Sequence, residues 1–277
     1  MLVGLGLMRI DSPPLDILAI AAHRDDVEQT CGGTLLKMAE RGRRAGILDL
    51  TRGEMGTRGT AEERRREAAE AARILRVSWR EALDIPDGRV ENTWDNRLKV
   101  ARAIRETRPR VVILPYWKGR HPDHYTASKL GYEACFLAGL AKLDVERALT
   151  SPRSAFSQVA SAVGSVVAGE NPGEASAAHR PYKIIYATLY YDVRPTFVVD
   201  ISQQFEARFR SLMAYQSQFS DQAPGQDIFP VQAEIRARVE AMARFYGMLA
   251  GVTYAEPFLQ KEVGLVEDVT AIPVKSI

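Results

Sequence analysis

Histidine and aspartate side chains, which are common ligands of divalent metals, are concentrated in two short segments of this 277-residue sequence. Residues 23–26 read HRDD and residues 121–124 read HPDH, and only His179 of the four histidines lies outside them. Each pattern alone is typical of a hydrogen-bonded strand end or of a turn built on Pro122. A catalytic zinc ion needs only three protein ligands, so the two segments together favour a metal site. The candidate donors are His23, Asp25, Asp26, His121, Asp123 and His124.

Both segments follow apolar runs that predict buried β-strands. Leu15–Ala22 precedes the first segment and Arg110–Tyr116 precedes the second, and such runs are typical of strands covered on both faces. Strands alternate with helical patterns, which predicts an α/β fold with a Rossmann-like, doubly wound, mostly parallel sheet and helices on both faces. Because ligands bind beyond the carboxyl ends of such strands, we expect the two segments to meet at one edge of the sheet.

Further elements are predicted from apolar periodicity and from capping signals. Thr60 and Glu63 form a capping box at the start of one helix, and Pro109 ends another. The other predicted strands are 44–51, 182–192 and 196–201, and the predicted helices are 34–41, 61–76, 95–107, one from the second segment to about residue 140, 203–218 and 231–249. Together they predict one domain over residues 1–277, with a mobile Ser/Ala/Gly-rich insertion at about 148–179.

Composition argues against several functional classes. The chain has 37 Lys+Arg against 35 Asp+Glu, so its bulk charge gives no reason to expect nucleic acid or a membrane surface as a partner. No apolar stretch approaches the roughly 20 residues of a membrane span, and Met1–Met8 is too short for a signal sequence. Cys31 and Cys135 match no metal or disulfide pattern. We therefore expect a soluble, cytoplasmic protein.

The two histidine segments resemble the motifs of a known family. AHRDD at 22–26 and RHPDH at 120–124 resemble the signatures of the LmbE-like (PIG-L) zinc de-N-acetylases. Other segments resemble the bacillithiol branch of that family, which deacetylates N-acetylglucosaminyl-L-malate. They are DLTRGEMGTRGT (49–60), EACFLAGL (133–140), FVVDIS (197–202), AYQSQF (214–219) and GVTYAEPF (251–258).

The resemblance implies a role for most of the candidate donors. His23, Asp26 and His124 are implied to bind one Zn²⁺ per subunit, Asp25 to act as general base, and His121 to act as the second acid/base group, which stabilises the oxyanion. Two imidazoles and one carboxylate also accept Fe(II), Co(II) or Mn(II). The resemblance further implies a homo-oligomer, a trimer or a hexamer built from trimers.

The physical chemistry of these groups agrees with the implied roles. Two imidazoles and one carboxylate leave zinc with residual positive charge, which lowers the pKa of bound water to about 7 and polarises an amide carbonyl. Asp123, two residues after His121, is expected to orient that imidazole or to raise its basicity. The departing amine takes its proton from Asp25 or from His121, and the sequence does not distinguish the two.

Three arginines lie close to the candidate donors. Arg64 resembles the substrate-binding arginine of the family, although the neighbouring arginines 65 and 66 are typical of a solvated helix face. Arg120 is suited to bidentate binding of a substrate carboxylate, and the alternative is a surface residue that ends a strand. Arg24 stands where the family usually has proline. We expect its side chain to point to solvent, and the alternative is that it adds positive charge beside the malate.

The leading hypothesis is zinc-dependent hydrolysis of the N-acetyl group of N-acetylglucosaminyl-L-malate. The alternatives are hydrolysis of another N-acetyl amino sugar or of a thiol-conjugate amide, and a non-catalytic zinc- or sugar-binding module. The chain keeps every implied ligand and both acid/base residues, which argues against the module. The expected partner is a small amino-sugar glycoside.

Overall fold

The computed structural model describes residues 14–150, 177–188, 193–221 and 230–272. Within these residues one mixed sheet is formed by seven strands, β1 (Ile17–Ala21), β2 (Ala45–Asp49), β3 (Trp79–Ala82), β4 (Val111–Pro115), β5 (Lys183–Ala187), β6 (Phe197–Asp200) and β7 (Ala255–Leu259). Their order across the sheet is β3-β2-β1-β4-β5-β7-β6. The pairs from β3 to β5 are parallel, and β7 is antiparallel to both β5 and β6. The predicted mostly parallel sheet is confirmed.

The helices of the described residues surround this sheet. They are α1 (Asp26–Thr30), α2 (Gly32–Glu40), α3 (Ala61–Ile74), α4 (Trp94–Thr107), α5 (Pro122–Ala138), α6 (Val145–Thr150), α7 (Phe205–Met213), α8 (Gln216–Phe219) and α9 (Gln232–Met248), with a 3₁₀ turn at Val269–Ala271. The single helix predicted at 203–218 is wrong, because the chain breaks at Ala214 and Tyr215 into α7 and α8. Among all the residues that the structure describes, no helix is long and apolar enough to cross a membrane.

Two predicted segments fall partly outside the described residues. The insertion predicted at 148–179 begins within α6, and its residues 151–176 are not among those that the structure describes. The strand predicted at 182–192 is β5, which ends at Ala187, and residues 189–192 are likewise outside. The insertion therefore stays a prediction. The homo-oligomer also stays a prediction, because the structure is that of a single chain.

The core lies on both faces of the sheet, as the apolar runs predict. Leu18 and Ile20 of β1 pack with apolar residues of α4 and α5 on one face. Ile17, Ala19 and Ala21 of the same strand pack on the other face, with apolar residues of α1 and α2. Because side chains alternate along a strand, five buried residues in a row require cover on both sides.

Local signals position the ends of the helices that matter for the site. The capping box of Thr60 and Glu63 is confirmed at the start of α3. α4 ends at Arg108, which adopts a left-handed conformation directly before Pro109. α5 begins at Pro122, where proline is favoured because the first helical N–H has no partner within the helix. The HPDH segment therefore forms the first turn of α5.

Strands β3 and β7 were missed by the sequence prediction. β3 reads WREA and lies at the sheet edge, so it lacks the apolar alternation of a covered strand. β7 reads AEPFL, with a buried glutamate and a proline, and both residue types are depleted in strands. Neither segment carries the apolar pattern on which strand prediction depends.

Glu256 is a charged residue in β7, an inner strand of the sheet, and its contacts explain why it is there. It is fully buried. One carboxylate oxygen accepts the N–H of Gly33 (2.8 Å), and the other accepts the N–H (2.7 Å) and hydroxyl (2.6 Å) of Thr34. Arg208 of α7 lies 3.1 Å away and balances the charge. The carboxylate therefore caps the N-terminus of α2.

Glu256→Ala is expected to lower the free energy of unfolding by about 3–5 kcal/mol, because it leaves the buried charge of Arg208 without its carboxylate partner. Urea unfolding followed by circular dichroism measures this loss. Glu206→Ala is the matched control, because it removes an exposed carboxylate that pairs with Arg236 and should change stability little. Equal midpoints for the two variants would contradict the structural role.

Candidate metal and catalytic site

The two histidine segments meet at one edge of the sheet, as predicted. Segment 23–26 follows β1 and segment 121–124 follows β4, and these two strands are parallel neighbours. Their carboxyl ends therefore open on the same side. His23 and Asp26 lie in and just after the turn that leaves β1, and His124 lies in the first turn of α5.

His23, Asp26 and His124 bring together two ring nitrogens and the two oxygens of one carboxylate. His124 Nε2 lies 3.2 Å from His23 Nδ1 and 3.1 Å from Asp26 Oδ1, and His23 Nδ1 lies 3.5 Å from Asp26 Oδ2. Ligand atoms at about 2.0–2.1 Å from a tetrahedral zinc are separated by about 3.3 Å. The separations of these donors therefore fit one small divalent cation.

His121 lies beside the same donors but is more exposed than they are. Its ring centroid is 4.7 Å from that of His23 and 5.0 Å from that of His124, and nitrogens of the three rings lie within 4.8 Å of one another. Its Nδ1 accepts the backbone N–H of Asp123 at 3.2 Å. The neutral imidazole therefore carries its proton on Nε2. Burial and the neighbouring His23 and His124 lower the pKa of His121, which favours this neutral form.

The Asp123 carboxylate is not hydrogen-bonded to His121, so it does not orient that ring, although its negative charge opposes the lowering of the His121 pKa. It accepts the N–H groups of Gly88 (2.8 Å) and Val90 (3.1 Å), and Oδ2 lies 3.4 Å from His23 Nε2. The reason is that the turn after β3 presents two backbone donors to this carboxylate. Asp123 thus acts on His121 through its backbone N–H, and its side chain faces His23.

Asp87 is a member of the site that sequence reasoning missed. Its Oδ1 lies 3.1 Å from His23 Nε2, and its Oδ2 accepts the N–H of Met55 at 2.9 Å. Asp87 lies in the loop that follows β3. A correct prediction of this edge strand would have placed Asp87 at the same edge of the sheet as His23. His23 therefore directs Nδ1 towards the other donors and Nε2 towards two carboxylates, the arrangement that orients metal-binding histidines.

The electrostatics of the cluster favour a positive charge among these donors. Burial disfavours the charged imidazole of His23, but hydrogen bonds to Asp123, Asp26 and Asp87 outweigh it and raise the pKa of His23 to about 12. Although burial opposes ionisation, His124 and His23 hold the pKa of Asp26 well below its usual range. The donor set and its charge therefore fit a divalent cation.

Asp25 is held beside the donors by two side chains. Arg64 Nη2 lies 3.0 Å from Oδ1, and Gln29 Nε2 donates to Oδ2 at 3.0 Å. Arg64 is only 4% exposed, and its Nη1 donates to the carbonyl of Gly53 at 3.2 Å. Gly53 has φ +72° and a Cβ there would lie 2.0 Å from Arg64 Nη1, so only glycine fits. Arg64 is thus no part of a solvated helix face.

Arg24 is buried, so the expectation that its side chain points to solvent is wrong. The residue is 5% exposed, and Nη1 donates to the carbonyl of Ala61 in the first turn of α3 at 2.6 Å. The physical reason is that α3 begins directly over the HRDD turn and offers this carbonyl. The guanidinium therefore binds the protein's own backbone rather than a ligand.

A cleft of about 1000 Å³ opens over the donors. Asp25, His121 and His124 line it, together with apolar side chains of α9. The cationic residues that line it include Lys118, Arg120 and Arg238. Another cavity of about 1080 Å³, lined by residues such as Lys37 and Arg244, includes none of the histidine-cluster residues. The candidate metal and catalytic residues therefore line the smaller of these two cavities.

Comparison with known proteins gives three relevant matches. Residues 18–135 match the family model described as GlcNAc-PI de-N-acetylase (PIG-L). The chain is 38% identical to the conserved protein TT1542 from Thermus thermophilus, with a TM-score of 0.72 over 91% of this chain and 98% of that one. It is also 29% identical to diacetylchitobiose deacetylase of Thermococcus kodakarensis, over 87% of this chain and 80% of the relative.

A second solved structure shares the fold alone. GalB, the 4-carboxy-2-hydroxymuconate hydratase from Pseudomonas putida KT2440, has a TM-score of 0.69 at 20% identity, over 92% of this chain and 99% of that one. A hydratase on the same fold means that the reaction has to be argued from the site residues. The family match at 18–135 includes both histidine segments.

Proposed function

We propose that this chain is a PIG-L de-N-acetylase that hydrolyses the N-acetyl group of N-acetylglucosaminyl-L-malate with zinc as cofactor, and the family model matched at residues 18–135 and the similarity to a diacetylchitobiose deacetylase support this proposal. It is a hydrolase of N-acetyl amide bonds, as its relatives are. The observation that carries the proposal is the convergence of three metal-type donors at 3.1–3.5 Å beside the Asp25 carboxylate.

His23, Asp26 and His124 hold the metal in this proposal. A divalent cation at these donors supplies positive charge that polarises the acetyl carbonyl and acidifies a water molecule. Asp87 and Asp123 keep the His23 ring oriented through its second nitrogen. Zinc is the proposed metal because the donor set of two imidazoles and one carboxylate is common in catalytic zinc sites.

Asp25 is the proposed general base. Arg64 and Gln29 each bind one of its oxygens, so the carboxylate is oriented before substrate arrives. Each carboxylate oxygen keeps a further lone pair, with which Asp25 accepts a proton from the attacking water. In this arrangement Arg64 acts by positioning the base, and its contact with substrate remains a proposal taken from the family resemblance.

His121 is proposed to stabilise the oxyanion that develops on the acetyl oxygen. Its Nδ1 accepts the N–H of Asp123, so Nε2–H is the donor available for this bond. The departing amine then needs a proton, which comes from the protonated Asp25, because loss of the Nε2 proton from neutral His121 would leave an imidazolate. Both groups lie at the cleft, and the protons balance because Asp25 gives the amine the proton that it took from the attacking water.

The malate substrate is supported by the charge of the cleft. Arg120 is exposed, directly precedes the HPDH motif and lines the cleft, with Lys118 two residues earlier. Two carboxylates on the aglycone give these cations charged partners, and guanidinium binds carboxylate in bidentate geometry. A neutral disaccharide such as diacetylchitobiose has no such groups.

Arg120→Ala is expected to lower kcat/KM for N-acetylglucosaminyl-L-malate by about 10–100-fold, the cost of about 1.5–3 kcal/mol for a charge-assisted hydrogen bond. Methyl N-acetylglucosaminide, which lacks the carboxylates, should be affected much less. Acetate release from both glycosides and from N,N'-diacetylchitobiose measures the effect. Arg110→Ala is the control, because it makes the same change at the opposite end of β4.

The outcomes separate the substrate classes. Wild-type preference for the disaccharide over the malate glycoside would reject the malate and favour another N-acetyl amino sugar. Acetate release from neither sugar, with turnover of a thiol-conjugate amide, would favour the amidase alternative. An equal loss for malate and methyl glycosides in Arg120→Ala would remove Arg120 from aglycone recognition.

A further inference from the structure

The backbone carbonyl of Arg24, in the middle of the HRDD turn, accepts hydrogen bonds from two buried side chains. One donor is Arg80 Nη2, from β3, and the other is the Tyr215 hydroxyl, from the break between α7 and α8. Tyr215 is fully buried. A carbonyl oxygen has two lone pairs, so these donors use both. Residues far from position 24 in sequence thus converge on a single peptide group.

Buried carboxylates lie beside both donors and bind Arg80 directly. Arg80 Nε and Nη2 lie 2.9 and 3.0 Å from the oxygens of Asp49, at the end of β2, and Nη1 lies 2.7 Å from Glu28 Oε1. The Tyr215 hydroxyl lies 3.1 Å from the same Glu28 oxygen. Glu28, Asp49 and Tyr215 are at most 1% exposed. The cluster therefore connects the HRDD turn rigidly to the edge of the sheet.

The orientation of the Arg24 carbonyl determines where the neighbouring side chains point. The peptide group that contains this oxygen is planar and leads directly into Asp25, so rotating it redirects Asp25 and Asp26 relative to His23. Within the turn, the His23 N–H donates to Asp26 Oδ2 at 2.9 Å. On its other side, the Arg24 guanidinium is bound to Ala61. Loss of the carbonyl bonds therefore frees the central peptide of the turn.

We propose that Tyr215 and Arg80 are positioning residues that hold the HRDD turn in the conformation in which His23 and Asp26 converge with His124 on one cation. This inference rests on the proposed metal-dependent function. Neither residue is within the donor set, and each acts through the Arg24 carbonyl.

The test is Tyr215→Phe, which removes one hydroxyl and keeps the ring. Titration of the metal-free protein with Co(II), followed by visible absorption, should show a dissociation constant about 10–100-fold weaker than wild type and a changed d–d spectrum. In the metal-free protein, hydrogen exchange of the peptide covering 23–30 should be faster. Metal geometry and local exchange are readouts that a loss of global stability alone does not move.

Thr107→Val is the matched control. It also removes a buried hydroxyl that donates to a backbone carbonyl, that of Ala103 at 2.6 Å, but at the C-terminus of α4. We expect wild-type cobalt affinity, spectrum and local exchange in this variant. If Tyr215→Phe matches Thr107→Val in all three, the positioning role is wrong. If wild type binds no cobalt, the proposed function fails, and the exchange comparison alone decides whether Tyr215 holds the turn.

Discussion

Asp26→Asn is expected to abolish stoichiometric metal binding and to lower deacetylase turnover by about 10³-fold or more. Asp26 supplies the one carboxylate of the proposed ligand set, with oxygens 3.1 Å from His124 and 3.5 Å from His23. A neutral amide keeps the shape of the side chain but removes its charge, which the cation and both imidazoles require. Metal content by mass spectrometry and acetate release from the same sample measure the two effects.

The control for this change is Asp84→Asn. Asp84 is an exposed carboxylate in the loop after β3, and it pairs with Lys99 of α4 rather than with any of the donors. We expect it to keep one metal per chain and wild-type turnover. An Asp26→Asn protein that also keeps one metal and full turnover would remove Asp26 from the ligand set, and the remaining grouping of His23, His121 and His124 would become the candidate.

Asp25→Asn is expected to keep its metal and to lower kcat by about 10²–10⁴-fold, the usual contribution of a general base. The amide still has an oxygen for Arg64, and its NH₂ group can donate to the Gln29 side-chain oxygen when the Gln29 amide turns over. The side chain therefore stays in place. What it loses is the ability to accept a proton. Steady-state kinetics and metal analysis on the same preparation separate this result from a loss of metal.

Asp26→Asn is the matched comparison for Asp25→Asn, because the same chemical change is made one residue further along the chain. The two variants should differ in metal content although both lose activity. Wild-type kcat in metal-loaded Asp25→Asn would assign the base to another group, and His121 is the remaining acid/base side chain in the cleft.

The parts of the fold that the sequence predicts correctly are those with a strong apolar signal. β1 and β4 are buried on both faces, so their apolar runs stand out, and the segment that follows each strand had to open at the same edge. Capping and proline signals likewise predict the start of α3 and the end of α4. The convergence of His23, Asp26 and His124 follows from these local signals and from the geometry of parallel sheets.

The missed contacts depend on the direction of side chains, which spacing along the chain does not reveal. Asp123 lies two residues from His121, yet its carboxylate faces His23 because backbone donors at 88 and 90 bind it. Asp87 could not be placed without the edge strand β3. Arg24 turns inward because α3 offers a carbonyl that only the folded chain brings near. These are tertiary effects that override local preference.

The antiparallel strand β7 has a consequence for the synthesis of the protein. It lies between β5 and β6, although it comes later in the chain than both. A nascent chain that has not reached residue 255 can pair β1 to β5, but β5 and β6 then have open edges and α2 lacks its Glu256 cap. Closing the sheet and capping α2 therefore both await β7, and the cap joins residues more than 200 positions apart in sequence, which makes the last stage of folding slow.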